Sequence, residues 1–180
     1  MARDQFVIGV DLGGTNMQIG VVNSKNKIVG REGKKTRSAE GLKAVVDRMA
    51  RGIRQACDEA EISINQVACI GVAAAGAIDI PRGVVLNAPN LKWHNAPLRA
   101  MLEKRLGRPV VIDNDVNGAV WGEYMLGAGK GRGDVLGVWL GTGVGGGLVL
   151  NGSLYYGAFF TAGEVGQTVL FPRGQRGRRT

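Results

Sequence analysis

Two glycine-rich segments of this chain have the residue types that hold phosphate groups: Asp11-Leu-Gly-Gly-Thr-Asn16 and Gly141-Thr-Gly-Val-Gly-Gly-Gly147. Each lies between two apolar runs that are typical of β-strands, so each is predicted to form the turn of a hairpin. A turn of small residues lets backbone N–H groups approach an anion closely. Either segment alone is equally compatible with an ordinary hairpin. Together they predict a clamp for the phosphates of a nucleotide.

The flanking strands exclude two other kinds of phosphate loop. The spacing of Gly141, Gly143 and Gly146 fits a dinucleotide-binding fingerprint. That fingerprint opens a helix, whereas Leu148-Val-Leu150 has strand character. The chain also contains no Gly-Lys-Ser or Gly-Lys-Thr, which excludes a P-loop.

The segment Asp113-Asn-Asp115 is a candidate catalytic site. It lies between a predicted buried strand, residues 109–112, and a predicted helix that ends at Leu126, and open α/β sheets bind their ligands at such strand ends. Asp115 could accept the proton of a substrate hydroxyl, and Asn114 could hydrogen-bond neighbouring hydroxyls. The alternative is helix N-capping, which Asn and Asp commonly perform.

Two further segments have polar groups suited to a sugar. Asn87-Ala-Pro-Asn-Leu-Lys-Trp93 is predicted to be a loop whose amides and indole fit hydroxyls and an apolar ring face, although a plain turn is as good an interpretation. Gly163-Glu-Val-Gly-Gln167 places Glu164 between glycines, where it either binds hydroxyls or is an exposed turn carboxylate. His94, the single histidine, lacks a partner motif, so the sequence supports neither a Ser-His-Asp site nor a histidine metal site.

The elements that position these segments alternate between strands and helices. Residues 27–30 are predicted as a third antiparallel strand, 38–60 as one long helix, 67–73 as a buried strand and 98–106 as a second helix. Met49, Cys57, Trp121 and Trp139 are predicted core residues. The order predicts an α/β fold of two related domains, residues 1–115 with the first phosphate turn and residues 116–180 with the second, the second domain being incomplete.

Composition predicts a globular protein, since 44% of its 180 residues are hydrophobic. The net charge of +8 comes partly from four arginines among the last eight residues: Arg173, Arg176, Arg178 and Arg179. Such a tail could bind nucleic acid nonspecifically, but a solvated end is the commoner explanation. The two cysteines have no metal-ligand spacing. Without a signal peptide or an apolar run long enough for a membrane span, the chain is predicted to be soluble and cytoplasmic, without membrane or nucleic-acid partners.

Six motifs, in order, resemble the ROK family of bacterial sugar kinases and sugar-responsive repressors. They are Asp11–Asn16, Gly76-Ala-Ile-Asp79, Pro89-Asn-Leu-Lys-Trp93, residues 113–117, residues 141–147 and Gly163-Glu-Val-Gly166. The resemblance covers essentially the whole chain. It implies the actin-like, ribonuclease H-like sugar-kinase fold and ATP-dependent phosphorylation of the 6-hydroxyl of a hexose, most often glucose.

The resemblance also implies a role for individual residues. Asp115 would be the general base, and Asp11 would assist Mg²⁺ through water. The residues that would contact the sugar are Gly76, Asn90, Asn114 and Glu164. The residues that would hold the phosphates of ATP are Asp11, Gly13, Gly14, Thr15, Asn16, Gly141, Thr142 and Gly143.

Two departures from the family pattern affect these expectations. The family usually has a zinc-binding and sugar-binding histidine where this chain has Gln167. We expect no zinc, because an amide is a poor zinc ligand and no cysteine follows Cys69; Gln167 could still hydrogen-bond a sugar hydroxyl. Family members also continue beyond Thr180, so the chain is expected to be truncated in the second domain.

Two alternatives to a kinase stay open. A repressor would carry a helix-turn-helix before the first strand, where about five residues precede Phe6, too few for that motif. A noncatalytic sugar-binding or regulatory relative would not need Asp115 as a base. The sequence leaves open which hexose is used, whether ATP or polyphosphate is the donor, and the oligomeric state, for which a homodimer is a family-level expectation.

Overall fold

The computed structural model of the protein describes residues 5–141 and 143–169. These residues form two compact units, and the chain passes from the first unit to the second between Asp115 and Val116. Thr142 and the arginines of the tail lie outside the described residues. Within the described ranges, no helix is both long enough and apolar enough to cross a membrane.

The described residues contain eleven strands and three α-helices. The strands are β1 (Phe6–Leu12), β2 (Asn16–Val22), β3 (Ile28–Lys35), β4 (Val67–Ala74), β5 (Ala77–Asp79), β6 (Val84–Ala88), β7 (Trp93–Ala96), β8 (Val110–Asn114), β9 (Val135–Leu140), β10 (Val144–Leu150) and β11 (Ser153–Leu154). The helices are α1 (Leu42–Glu59), α2 (Leu98–Leu106) and α3 (Asp115–Leu126).

A five-stranded sheet with the order β3-β2-β1-β4-β8 forms the centre of the first unit. β1, β2 and β3 are antiparallel, whereas β4 runs parallel to β1 and β8 parallel to β4. β1 buries Ile8, Val10 and Leu12, every second residue, because one face of the strand packs on the core. Met49 and Ile53, four residues apart on α1, belong to that core. Because β1, β4 and β8 are parallel, their carboxyl ends lie at the same edge of the sheet.

The first unit also contains an antiparallel sheet, β5-β6-β7, in a region where the sequence predicts a loop. The loop prediction for residues 87–93 is wrong at both ends, because Asn87 lies in β6 and Trp93 in β7. Trp93 is only 3% exposed, so its ring is part of the core and offers no face to a sugar. The 3₁₀ turn Pro89–Leu91 connects the two strands and carries Asn90.

The predicted helix over residues 38–60 is two elements. Ser38–Glu40 forms a 3₁₀ turn, and α1 begins at Leu42. Gly41 separates them with a φ of 85°, which an α-helix cannot contain. The second predicted helix, Leu98–Leu106, is confirmed with the same bounds.

The second unit has a three-stranded antiparallel sheet with the order β11-β10-β9, preceded along the chain by α3. Residues 13–15 connect β1 to β2, and residues 141–143 connect β9 to β10. Both pairs are antiparallel. The prediction of a hairpin at each glycine-rich segment is therefore confirmed, but the second turn is shorter than predicted because residues 144–147 belong to β10.

The tryptophans of the second unit are less buried than the sequence predicts. Trp139 in β9 is 37% exposed, so its assignment to the core is wrong. β9 is an edge strand of its sheet, which leaves it less covered than the inner strands of the first unit. Trp121 in α3 is half-buried and stacks on Tyr124, with ring centroids 5.3 Å apart. The core prediction is confirmed for Met49 and Cys57, which are buried.

Candidate functional site

The first glycine-rich turn is closed by a backbone hydrogen bond. The N–H of Gly13 donates to the carbonyl of Asn16 at 3.0 Å. Asp11 precedes this turn on β1, and Thr15 and Asn16 are exposed to solvent. The residues predicted to hold phosphate in the first unit thus form one continuous, accessible turn at the carboxyl end of β1.

The acidic segment 113–115 ends at the same edge of the sheet. Asp11 pairs across β1 and β4 with Ala73, and Ala73 pairs across β4 and β8 with Asp113. Asn114 is the last residue of β8 and Asp115 the first residue of α3. The parallel register therefore brings the predicted base close to the first phosphate turn, although about a hundred residues separate them along the chain.

The carboxyl groups of Asp11 and Asp115 are close enough to interact electrostatically. Asp11 is solvent-accessible, yet the protein around its carboxyl group partly desolvates it. This desolvation raises the pKa of Asp11 above its ordinary value of 3.8, and the negative charge of Asp115 raises that pKa further. Two neighbouring carboxylates of this kind attract a cation.

The raised pKa of Asp11 predicts a pH dependence of stability. Protonation stabilises the folded state through this residue, so its contribution is complete below pH 3.8 and is lost as the pH rises through the folded-state pKa. As the pH rises from acidic to neutral, we expect the unchanged protein to lose this contribution and Asp11→Asn, which cannot ionise at this position, to become the more stable of the two by comparison. Chemical denaturation at a series of pH values measures this difference, with Asp58→Asn on α1 as the control for losing a carboxylate elsewhere. Parallel pH curves for Asp11→Asn and the unchanged protein would show that the assigned shift is wrong.

Gly76 and Asn114, two of the predicted sugar contacts, lie side by side. The side-chain amide of Asn114 donates a hydrogen bond through Nδ2 to the carbonyl of Gly76 at 3.3 Å. Gly76 has a φ of 116°, and a Cβ atom there would lie 2.3 Å from the carbonyl oxygen of Asn87. Position 76 therefore requires glycine for both its conformation and its space.

Asn90, a third predicted sugar contact, packs directly on the first phosphate turn. A Cβ atom at Gly14 would lie 2.8 Å from the carbonyl oxygen of Asn90 and 2.9 Å from its Cβ. Asn90 is exposed to solvent, whereas Leu91 of the same 3₁₀ turn is buried. Close approach of the two loops thus depends on the missing side chain of Gly14.

The second glycine-rich segment divides into a turn and a strand. The N–H of Gly141 donates to the carbonyl of Gly143 at 2.9 Å, and β10 begins at Val144. The run Gly145–Gly147 is therefore part of β10. A Cβ at Gly145 would lie 2.5 Å from Val116 Cγ2, and one at Gly147 would lie 2.9 Å from Val120 Cγ2, so these two glycines let α3 pack closely on the strand.

Glu164 and Gln167 lie together on one 3₁₀ turn in the second unit. The backbone N–H of Gln167 donates to the carbonyl of Glu164 at 3.0 Å, and both side chains are exposed. Gly163, with a φ of 89°, packs on β10, where its Cβ would lie 2.6 Å from the carbonyl oxygen of Gly146. The strand that follows the second turn therefore positions these two predicted sugar contacts.

The structure brings the predicted residues together in two groups, one in each unit. The group of the first unit comprises Asp11, Gly13, Gly14, Thr15, Asn16, Gly76, Asn90, Asn114 and Asp115. The group of the second unit comprises Gly141, Gly143, Glu164 and Gln167. Sequence reasoning missed the sheet β5-β6-β7 that carries Asn90, although Val84-Val-Leu after Pro81-Arg-Gly83 is a turn-and-strand signal.

Comparison with known proteins settles the family. The chain matches the ROK family over residues 7–178. The chain belongs to the ROK family. Its structure superimposes with a TM-score of 0.83 on a ROK family glucokinase from Streptomyces griseus in complex with glucose and AMPPNP, at 38% identity, over 94% of this chain and 52% of that chain. The predicted actin-like α/β sugar-kinase fold is thus confirmed.

Curated ROK relatives include both enzymes and regulators. A glucokinase of Streptomyces coelicolor is 38% identical over 94% of this chain and 51% of its own length. A putative xylose repressor of a Caldicellulosiruptor species is 33% identical over 92% of this chain and 41% of its own length. The chain thus spans about half the length of the ROK glucokinase.

Proposed function

We propose that this ROK protein contributes to an ATP-dependent sugar kinase that phosphorylates the 6-hydroxyl of glucose or a related hexose. The observation that carries the proposal is the placement of Asp115 at the carboxyl edge of the sheet, beside Asp11 and next to Asn114. A carboxylate at this position can take the proton of a hydroxyl that attacks a phosphoryl group. The similarity to glucokinases at 38% identity supports the same reaction class.

Asp115 acts as the general base in this proposal. It stands in the first turn of α3, and the N-terminus of a helix stabilises a negative charge. The hydrogen bond to Gly76 orients the side chain of Asn114, and we propose that this amide also hydrogen-bonds a sugar hydroxyl. We propose that Gly76, Asn90, Asn114, Glu164 and Gln167 bind the sugar and hold its 6-hydroxyl toward the base.

The two glycine turns hold the phosphates of ATP in this proposal. Backbone N–H groups in such turns are fixed dipoles that bind phosphate oxygens without a positively charged side chain. The proposed phosphate-binding residues are Asp11, Gly13, Gly14, Thr15, Asn16, Gly141, Thr142 and Gly143. In-line transfer then needs mainly positioning and neutralisation of charge, which suits a site built from backbone groups.

The residues present fit a magnesium ion. Carboxylate oxygens are the ligands that Mg²⁺ prefers. Burial, and then the negative charge of Asp115, raise the pKa of Asp11, and a cation between the two carboxylates would offset their repulsion. Among the described residues, no cluster of three or more His, Cys, Asp or Glu could hold a metal without other ligands. Asp11 would therefore hold the ion through water, together with phosphate oxygens, and the bound ion would offset the charge of the transferred group.

An assay of ADP release tests the proposal. Glucose, mannose, fructose and N-acetylmannosamine are each supplied with Mg·ATP, to the 180-residue chain and to a form extended to the length of its glucokinase relatives. Sugar-dependent release of ADP by the extended form supports the kinase. No release from either form with any of the four sugars contradicts it. Repeating the active reaction with polyphosphate identifies the donor.

A noncatalytic sugar-binding or regulatory role is the second candidate. The similarity to a putative xylose repressor favours it, because the same fold serves regulators in this family. Such a protein would bind sugar with an affinity that is independent of Asp115 and would release no ADP. A homodimer and a cytoplasmic location stay predictions.

A further inference from the structure

Thr36 is a fully buried polar residue that touches the first phosphate turn twice. It follows β3, and 0% of its surface is exposed. Its hydroxyl donates through Oγ1 to the carbonyl of Gly13 at 2.7 Å. Its backbone N–H donates to the carbonyl of Thr15 at 2.8 Å. Two of the three carbonyl groups in the turn are therefore held by one residue.

Holding these carbonyl groups also sets the direction of the neighbouring N–H groups. In a planar trans peptide, the C=O of one residue and the N–H of the next point in opposite directions. Because the carbonyl groups of Gly13 and Thr15 are directed toward Thr36, the N–H groups of Gly14 and Asn16 are directed away from it. Thr36 thus orients the amide groups that would bind a phosphate, and it does so from the opposite face of the turn.

Thr36 is in turn fixed by α1. The guanidinium of Arg48 donates through Nη1 to the carbonyl of Thr36 at 2.8 Å. Arg48 also forms an ion pair with Glu40 through Nη2, and its side chain is only 14% exposed. A continuous set of polar contacts therefore runs from the long helix through Thr36 to the glycine turn.

We propose that Thr36 is a positioning residue for phosphate binding, acting through the carbonyl groups of Gly13 and Thr15. This inference rests on the proposed function, in which the turn binds the phosphates of ATP. The side chain of Thr36 contacts no phosphate itself. Its buried hydroxyl keeps the turn in the orientation that binds, so the hydroxyl, rather than the volume of the side chain, is what the turn requires.

The test compares three variants of the 180-residue chain. Thr36→Val keeps the shape and removes the hydroxyl, Thr36→Ser keeps the hydroxyl, and Thr36→Ala differs from Thr36→Ser only in lacking that hydroxyl. The probe is inorganic tripolyphosphate with Mg²⁺, with affinity measured by calorimetry. Amide hydrogen exchange of the peptide that contains residues 13–16 is followed in parallel, with a peptide from β5-β6-β7 as the internal control.

We expect Thr36→Val and Thr36→Ala to weaken tripolyphosphate binding by about tenfold and to speed exchange in the turn, because a buried hydrogen bond is lost. Thr36→Ser should bind within about twofold of the unchanged chain. If the valine variant does not fold, the serine and alanine pair decides. Equal affinity with and without the hydroxyl would overturn the positioning role and leave the kinase proposal standing. An unchanged chain that binds no tripolyphosphate would instead overturn phosphate binding by the turn, and the inference with it.

Discussion

Replacing Asp115 with asparagine is expected to lower turnover by on the order of a hundredfold or more and to change sugar affinity by less than about threefold. The amide has nearly the shape of the carboxylate and can still hydrogen-bond a hydroxyl, but it cannot accept the proton of that hydroxyl. The loss should therefore fall on kcat, since the base acts only during the reaction. Removing one of the two interacting carboxylates also relieves Asp11 of its repulsion.

Steady-state kinetics of the extended form measure this change, and calorimetry with glucose measures the affinity. Asp113→Asn is the matched control, because it makes the same chemical change two residues earlier in the same segment. The Asp113 side chain accepts the N–H of Asn114 at 2.7 Å, a contact that the asparagine oxygen can keep. We expect this control to lose less than about tenfold in kcat. Near-normal turnover by Asp115→Asn would remove Asp115 from the role of base.

Replacing Gly14 with alanine is expected to lower kcat/KM by about a hundredfold, because it moves two binding loops at once. The added methyl group would lie 2.8 Å from the carbonyl oxygen of Asn90, a separation that neither backbone can accept without shifting. The backbone of Gly14 lies outside the positive-φ region, so the space and not the conformation requires glycine. Since Asn90 is on the proposed sugar loop and Gly14 on the phosphate turn, KM should rise for both the sugar and ATP.

Gly9→Ala provides the control for this prediction. Gly9 lies earlier in β1, and a Cβ atom there would have nothing within 4 Å. Its kinetics should stay within about threefold of the unchanged protein, as expected for a substitution that contacts nothing. Thermal unfolding of both variants separates a local shift from a loss of folding. A rise in the KM for ATP alone would show that the two loops are not coupled through Gly14.

Local sequence patterns were sufficient for the elements that are continuous along the chain. The hairpins around both glycine turns, the helix Leu98–Leu106 and the buried strand that leads to Asp115 depend on neighbouring residues and on their period. That strand is longer than predicted, because β8 includes Asp113 and Asn114. Buried parallel strands are also recognisable, because they are short and nearly continuous apolar runs. The residues proposed as base and phosphate ligands could therefore be chosen before any contact was known.

The sequence pattern could not predict features that depend on contacts between distant segments. The strands of β5-β6-β7 are three to five residues long, too short for a period to show, and tertiary packing places Trp93 in the core. Gly41 interrupts an otherwise helical pattern only because its φ is positive in the folded chain. Sequence propensity failed at these positions for two reasons. The strands are too short to show a pattern, and glycine accepts backbone conformations that its neighbours do not predict.

By itself, the sequence determined the family and the fold class and identified the candidate residues, because these follow from residue types at fixed spacing. The tertiary structure alone decided how those residues are held. The contact of Gly14 with Asn90 joins segments far apart in the chain, and the hydrogen bonds of Thr36 orient a turn that ends about twenty residues earlier. Close packing and buried hydrogen bonds are properties of atoms brought together by folding, so no local pattern contains them.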